Sequence, residues 1–356
     1  MPDDGIIPIF QPVRMFDGCR AHARPEDRRR ALIYAGEQLR EELTSAPPVP
    51  LYAACDLVTA PYPRRYALRD ATTARAPFVH IQNRLFVVRC PTPGGIKTLL
   101  VSPTDPHRSA ATPFFARLRA RLPLPNLIEP RIAPIHASVE TCLQRLQIRC
   151  EDVDFITYDH LHTQDLRGWL GTRTTPGIFP NAKLLITEQE WASVHALVAP
   201  QADWYCPDGV DGIDPARVHA FSGDLRIGSS VVLMRTPGHT EGNHSIVIRT
   251  SAGVLVTSEN GVSADAYAPA HSRIPGLRAY ARDTGMDVVL NGNTLEGSLD
   301  QYLSMVQERA VAGPSDAAPA FPNFVPSSEL THSWIAPRIR PTIEWGARTF
   351  EEPARP

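Results

Sequence analysis

The stretch Asp159-His160-Leu161-His162-Thr163-Gln164-Asp165 constrains this chain more than any other. It follows the apolar run Val153–Tyr158 (VDFITY), which reads as a buried strand, and precedes a polar segment ending at Gly171. Side chains alternate along extended backbone, so His160 and His162 face the same way and can share one metal ion. The pair alone decides little, because the chain has 12 histidines and two solvated loop histidines would look the same.

A second segment, Arg235–Ser245 (RTPGHTEGNHS), adds a third histidine. In Pro237-Gly238-His239 the Pro and Gly make a turn that ends one strand and aims the His outward. Gly242 and Ser245 then lead into a further strand, Ile246-Val247-Ile248. A structural zinc takes four protein ligands, whereas a catalytic one takes about three and a water. His160, His162 and His239 supply three neutral imidazoles. Such a set leaves the ion's charge undiluted and acidifies bound water to a pKa of about 7.

Together these segments resemble the metallo-β-lactamase superfamily: His160-x-His162 after a strand, then Thr236-Pro237-Gly238-His239-Thr240-x-Gly242, then a strand ending near an acidic residue. Glu140–Asp154 (ETCLQRLQIRCEDVD) and Phe179-Pro180-Asn181-Ala182-Lys183 also resemble it, and the similarity spans roughly residues 76–310. The resemblance implies an α+β fold, a four-layer αβ/βα sandwich with two sheets face to face and helices outside. It also implies that Glu259, in Val254–Asn260 (VLVTSEN), stands where the superfamily places an acid that binds or bridges metal.

The departures are as informative. The usual His-x-His-x-Asp-His ends here in Gln164 and Asp165, and the usual final His is replaced within Val288–Asn293 (VVLNGN). Amides are poor ligands for a transition metal. Two adjacent divalent ions need several anionic ligands around them, and Asp165 and Glu259 supply at most two. The expectation is one zinc ion per chain, with iron as the alternative. His160, His162, His239 and Glu259 would hold it, and Asp165 would accept a proton from its water. Three readings remain: a hydrolase of an ester, thioester or amide-type carbonyl in a small molecule; a mononuclear iron oxygenase of the persulfide-dioxygenase type; and a binding protein that kept the fold and lost the chemistry. Drift has no reason to spare three histidines, which favours an enzyme.

The rest of the chain sets the frame. Residues 1–48 read as a helical extension, with a helix over Arg24–Thr44 stopped by Pro47-Pro48. Residues 49–310 form the main domain, and 311–356 a Pro-rich tail that drapes over the core or over a neighbouring copy, so a homo-oligomer is one arrangement it allows. Phe78–Ile81, Arg84–Val88 and Lys97–Val101 read as a meander split at Gln82-Asn83 and Pro91–Gly95. Val218–Phe221 and Ser230–Met234 read as a strand pair around Gly223-Asp224. Trp204 and Tyr205, in the loop Gln201–Pro215, are anchors or substrate contacts. His80, His107 and His195 have no partner at ligand spacing. A net charge of −2 gives no electrostatic case for nucleic acid or an anionic membrane. No apolar run approaches the ~20 residues of a membrane span. The six cysteines include no C-x-x-C pair, and the acidic, Pro-broken N-terminus is unlike a signal peptide. A cytoplasmic location is expected.

Overall fold

The computed structural model describes residues 8–292 and 297–350. Its strands, in chain order, are β1 (Phe10–Val13), β2 (Leu51–Pro63), β3 (Phe78–Thr92), β4 (Gly95–Val101), β5 (Phe155–Thr157), β6 (Lys183–Thr187), β7 (Val218–Phe221) and β8 (Asp224–Ile227). They continue with β9 (Val231–Arg235), β10 (His244–Thr250), β11 (Gly253–Thr257), β12 (Pro314–Ser315), β13 (Ala318–Pro322), β14 (Ser328–Thr331) and β15 (Thr349–Phe350).

One sheet of eight strands runs β15-β2-β3-β4-β5-β6-β7, with β14 also pairing with β3; a second of five runs β1-β8-β9-β10-β11. The alternation of side chains along each strand builds two cores. Phe86, Val88 and Cys90 of β3 meet Leu233 of β9 and Ile246 and Ile248 of β10 between the sheets. Leu85 and Val87 point the other way, into the core under the outer helices. The helices Pro25–Ser45 and Ser298–Ala312 pack on each other and on β11. The helix Glu188–Val194 packs on β6 and β7. This is the expected four-layer sandwich. Among the described residues no helix is long and apolar enough to cross a membrane.

Several sequence expectations need correction. β3 is one strand through Gln82 and Asn83, not two. Gln82 is held in it by a hydroxyl donated from Thr59 (2.7 Å) and by its own amide bonding to the Val58 carbonyl (3.2 Å), so polar residues satisfied across the ladder continue the strand. β7 and β9 are not a pair: the chain passes from one sheet to the other through Gly223, and β9 pairs with β8 and β10. The N-terminal segment contributes β1 to the second sheet. Arg20 donates to Ser304 (2.8 Å) and Gln307 (3.0 Å) on the helix Ser298–Ala312. The tail adds β14 to β3 and β15 to β2.

Asp224, at the start of β8, is buried and accepts the Arg235 N–H at 2.6 Å. Burial pushes its carboxyl up to about 6, above the ~3.9 of an unfolded chain. The folded state therefore holds a proton that the unfolded state has lost between these values, and stability falls as pH rises from about 4 to 6. Asp224→Asn keeps an acceptor without the charge. It is expected to stabilise the protein by about 2 kcal/mol at pH 8 and by almost nothing at pH 4. Urea unfolding at the two pH values checks this, and an equal gain at both would refute it.

Candidate metal centre

His160 and His162 lie just past the end of β5, and His239 lies in the turn between β9 and β10. All three are buried, and one nitrogen of each lies within 4.8 Å of the others'. The His160 ring centroid is 4.6 Å from that of His162 and 4.5 Å from that of His239. His80, His107 and His195 join no such group among the described residues.

One buried carboxylate ties the two histidine loops together. Glu190 accepts the backbone N–H of Leu161 (2.8 Å), between the two paired histidines. It also accepts the hydroxyl of Tyr205 (2.9 Å), whose ring packs against His162 at 4.8 Å, and the hydroxyl of Thr240 (2.7 Å), next to His239. The helix carrying Glu190 approaches so closely that a Cβ at Gly242 would stand 2.2 Å from the Glu190 nitrogen. At Gly238 φ is +140°, and a Cβ would stand 2.2 Å from the Gln301 nitrogen. The Pro-Gly-His turn thus needs its glycine for both space and backbone conformation. Tyr205 is an anchor. Trp204 stacks on Phe114 at 4.2 Å and also faces the adjoining cleft.

Behind His160 stands Asp159, its Oδ2 3.4 Å from His160 Nδ1 and 3.0 Å from the Ser327 hydroxyl that it accepts. Burial disfavours the His160 cation, but the Asp159 charge outweighs it and raises the imidazole to about 9. Burial holds His162 well below the usual range, and the charge on His160 adds to that. His162 Nδ1 is buried and has no hydrogen-bond partner. A buried imidazole nitrogen without a partner, beside two further imidazoles, fits a divalent metal ion, which would take the place of the proton on His160. A carboxylate against the far nitrogen of one of them fits it too.

Glu259 lies past the end of β11 and gathers with Asp159 and His160, not with all three histidines. It is held towards β14, accepting the Ser328 hydroxyl at 3.1 Å. Burial raises its carboxyl to about 7, with the His160 charge opposing and the Asp159 charge adding. The backbone behind it is fixed by Asn291, whose amide donates to the Glu259 carbonyl at 3.2 Å. Asn293 lies outside the described residues.

Asp165 does not turn towards the cluster. Its oxygens accept from the Arg167 side chain (2.6 and 3.0 Å), from the Arg167 backbone N–H (3.0 Å) and from Arg108 (3.4 Å). Burial raises this carboxyl, but the Arg167 hydrogen bonds outweigh it and hold it below the usual range. A carboxylate so committed has no lone pair to spare for a water at the histidines. Gln164 faces the cleft and accepts the Thr104 hydroxyl at 3.2 Å. Asp165→Asn is accordingly expected to leave metal content unchanged, change any turnover less than about 2-fold and cost about 1 kcal/mol through the lost charge on partly exposed Arg167. Metal analysis beside a denaturation curve tests it. Loss of a metal equivalent would return Asp165 to the site.

Sequence reasoning missed Glu190, Ser327 and Ser328 and gave Asp159 no role. Thr187-x-x-Glu190 is legible as a helix cap, since Thr187 accepts the Glu190 N–H at 3.2 Å, but nothing in it shows what the carboxylate reaches.

The four groups Asp159, His160, His162 and Glu259 line part of a cleft of about 1450 Å³. Its remaining walls are largely apolar side chains from β2, β3 and the short helices Pro113–Ala120 and Pro125–Ile132.

No protein-family model matches the chain, and no curated protein sequence does. Among solved structures it is similar to the hydrolase AbOPH of the β-lactamase superfamily, at 13% identity over 81% of this chain and 89% of that one, with a TM-score of 0.50. It is also similar to a probable metal-dependent hydrolase from Staphylococcus aureus (10% identity, 72% and 83% covered, TM-score 0.48). A third is AidC, a dizinc quorum-quenching lactonase (12% identity, 74% and 83% covered, TM-score 0.45). The match to AbOPH spans most of both chains and agrees with the two facing sheets and their outer helices, so this chain has the metallo-β-lactamase fold.

Proposed function

We propose that the protein is a metal-dependent hydrolase of an ester, thioester or amide-type carbonyl in a small molecule, with one zinc ion per chain held by His160, His162 and His239. The observation that supports this best is the convergence of three buried imidazoles, two of which, His160 and His162, line a large cleft. Zinc held there would polarise the carbonyl and acidify water. Asp159, its Oδ2 3.4 Å from the Nδ1 of His160, would orient that ring towards the ion. Glu259, not Asp165, takes the proton: it lines the cleft beside His160, whereas Asp165 is held by Arg167. In the net reaction the oxygen of water joins the acyl carbon and the bond to the leaving oxygen, sulfur or nitrogen breaks. One proton of the water passes by way of Glu259 to the leaving group, and the acid product releases the other to solvent.

One carboxylate, Glu259, gathered beside His160 favours a second reading, the mononuclear iron oxygenase with two His and one carboxylate on the ion. Metal analysis by mass spectrometry on protein purified without added metal separates the readings. Zinc near one per chain supports the hydrolase, iron the oxygenase, and no metal the non-catalytic binding protein.

A further inference from the structure

The cleft is much larger than a metal centre needs. At about 1450 Å³ it exceeds the ~300–1,000 Å³ typical of small-molecule sites, and most of its wall is far from the histidines in chemical character. Val58, Ala60 and Pro61 of β2 and Phe78 and Ile81 of β3 form one side. Phe115, Leu118 and Leu122 form another, with Ile132 and Ile135 beyond them. The helices Pro113–Ala120 and Pro125–Ile132 contain no buried residue, although each carries large apolar side chains. Phe115, Leu118 and Ile132 of these helices line the open cleft instead of a core, which leaves them for something that enters it. Between the two helices the charges are met from within: Arg119 donates to Glu129 (2.8 Å) and to Asn126 (3.1 Å), while Arg121 also lines the cleft. The occupant therefore needs no charge along the stretch that meets Phe115, Leu118 and Ile132.

We infer that this apolar compartment is a binding subsite for the long, uncharged hydrocarbon chain of an amphiphilic substrate, whose carbonyl lies at the histidine end. The chain dissolves against Leu118, Phe115 and Ile81, and the polar head reaches Glu259 and the His160–His162 pair, which line the same cleft. The inference rests on the hydrolase reading for the position of the carbonyl but not for the apolar subsite itself, and the experiment separates the two.

Binding is measured first, on the full chain, by displacing a neutral fluorescent naphthylamine with the n-alcohols hexanol, octanol, decanol and dodecanol. Affinity should rise about 3- to 4-fold for each added methylene, the value for full removal of a CH₂ from water. Leu118→Asp should weaken dodecanol at least 10-fold while leaving the fold intact, because Leu118 belongs to no buried core. His239→Ala, which removes a histidine of the cluster, should retain the chain-length dependence. Turnover is then compared for p-nitrophenyl butyrate, octanoate and dodecanoate: kcat/KM should rise with chain length in the parent protein and flatten in Leu118→Asp. A flat alcohol series, or a Leu118→Asp variant that binds dodecanol as the parent does, overturns the subsite. A steep alcohol series with no ester turnover in the metal-loaded protein overturns the hydrolase reading and leaves the subsite standing.

Discussion

Glu259→Gln should lower kcat by about 10²- to 10⁴-fold, the usual contribution of a positioned proton acceptor, while metal content stays near that of the parent. The reason is geometric. Glu259 is gathered with Asp159 and His160, and the group of three histidine nitrogens is complete without it. The substitution removes the proposed proton acceptor, and the amide oxygen can still accept the Ser328 hydroxyl that holds the parent carboxylate at 3.1 Å. The pH dependence gives an independent readout. Burial holds the carboxyl near 7 in the metal-free protein, and a cation placed beside His160 draws it down. Turnover that needs ionised Glu259 is lost as pH falls through a value at or below 7. The Gln variant should have low activity without that acidic limb. If Glu259→Gln instead emptied the site of metal, Glu259 would be a ligand and the proton acceptor would have to be sought elsewhere.

The centre was legible where its chemistry is local in sequence. His160 and His162 are two residues apart at a strand end, and His239 follows a Pro-Gly turn, so pattern and backbone rules suffice to bring the three forward. What could not be read is what reaches them from afar. Ser327 meets Asp159 across 168 positions of chain and Ser328 meets Glu259 across 69. Both come from a segment whose irregular apolar spacing gave no strand signal. It becomes β14 because β3 offers an open edge there, not because its own residues favour a strand. Asp165 shows the opposite error: a motif position suggested a role, while Arg167, two residues away and plainly visible, was the stronger electrostatic partner. The sandwich itself was legible through its motifs, but the crossing from β7 to β8 was not. Gly223 looks the same whether it closes a hairpin or passes the chain between sheets.

The tail that completes the centre hangs on one buried ion pair, and Glu329→Ala should cost about 3–5 kcal/mol, the usual penalty for leaving a buried charge without its partner. The side chain of Glu329 on β14 is fully buried and that of Arg84 on β3 is 4% exposed, with Arg84 also donating to Asp56 at 2.7 Å. Glu329 further accepts the backbone N–H groups of Trp345 (2.7 Å) and Gly346 (3.4 Å), so it joins β14, the returning tail and the eight-stranded sheet at one point. Removing the carboxylate strands the Arg84 guanidinium with half-exposed Asp56 as its remaining partner and frees two tail amides. Because Ser327 and Ser328 lie immediately before Glu329, their hold on Asp159 and Glu259 should loosen with it. Hydrogen exchange over 327–350 should therefore quicken more than over β9 and β10, and turnover should fall at denaturant concentrations where the five-stranded sheet is still intact. The charge origin is tested by the double variant Arg84→Met, Glu329→Leu. Replacing the whole pair by apolar groups of similar volume should recover most of the lost stability. A double variant as unstable as Glu329→Ala would mean that packing around β14, not the stranded charge, carries the effect.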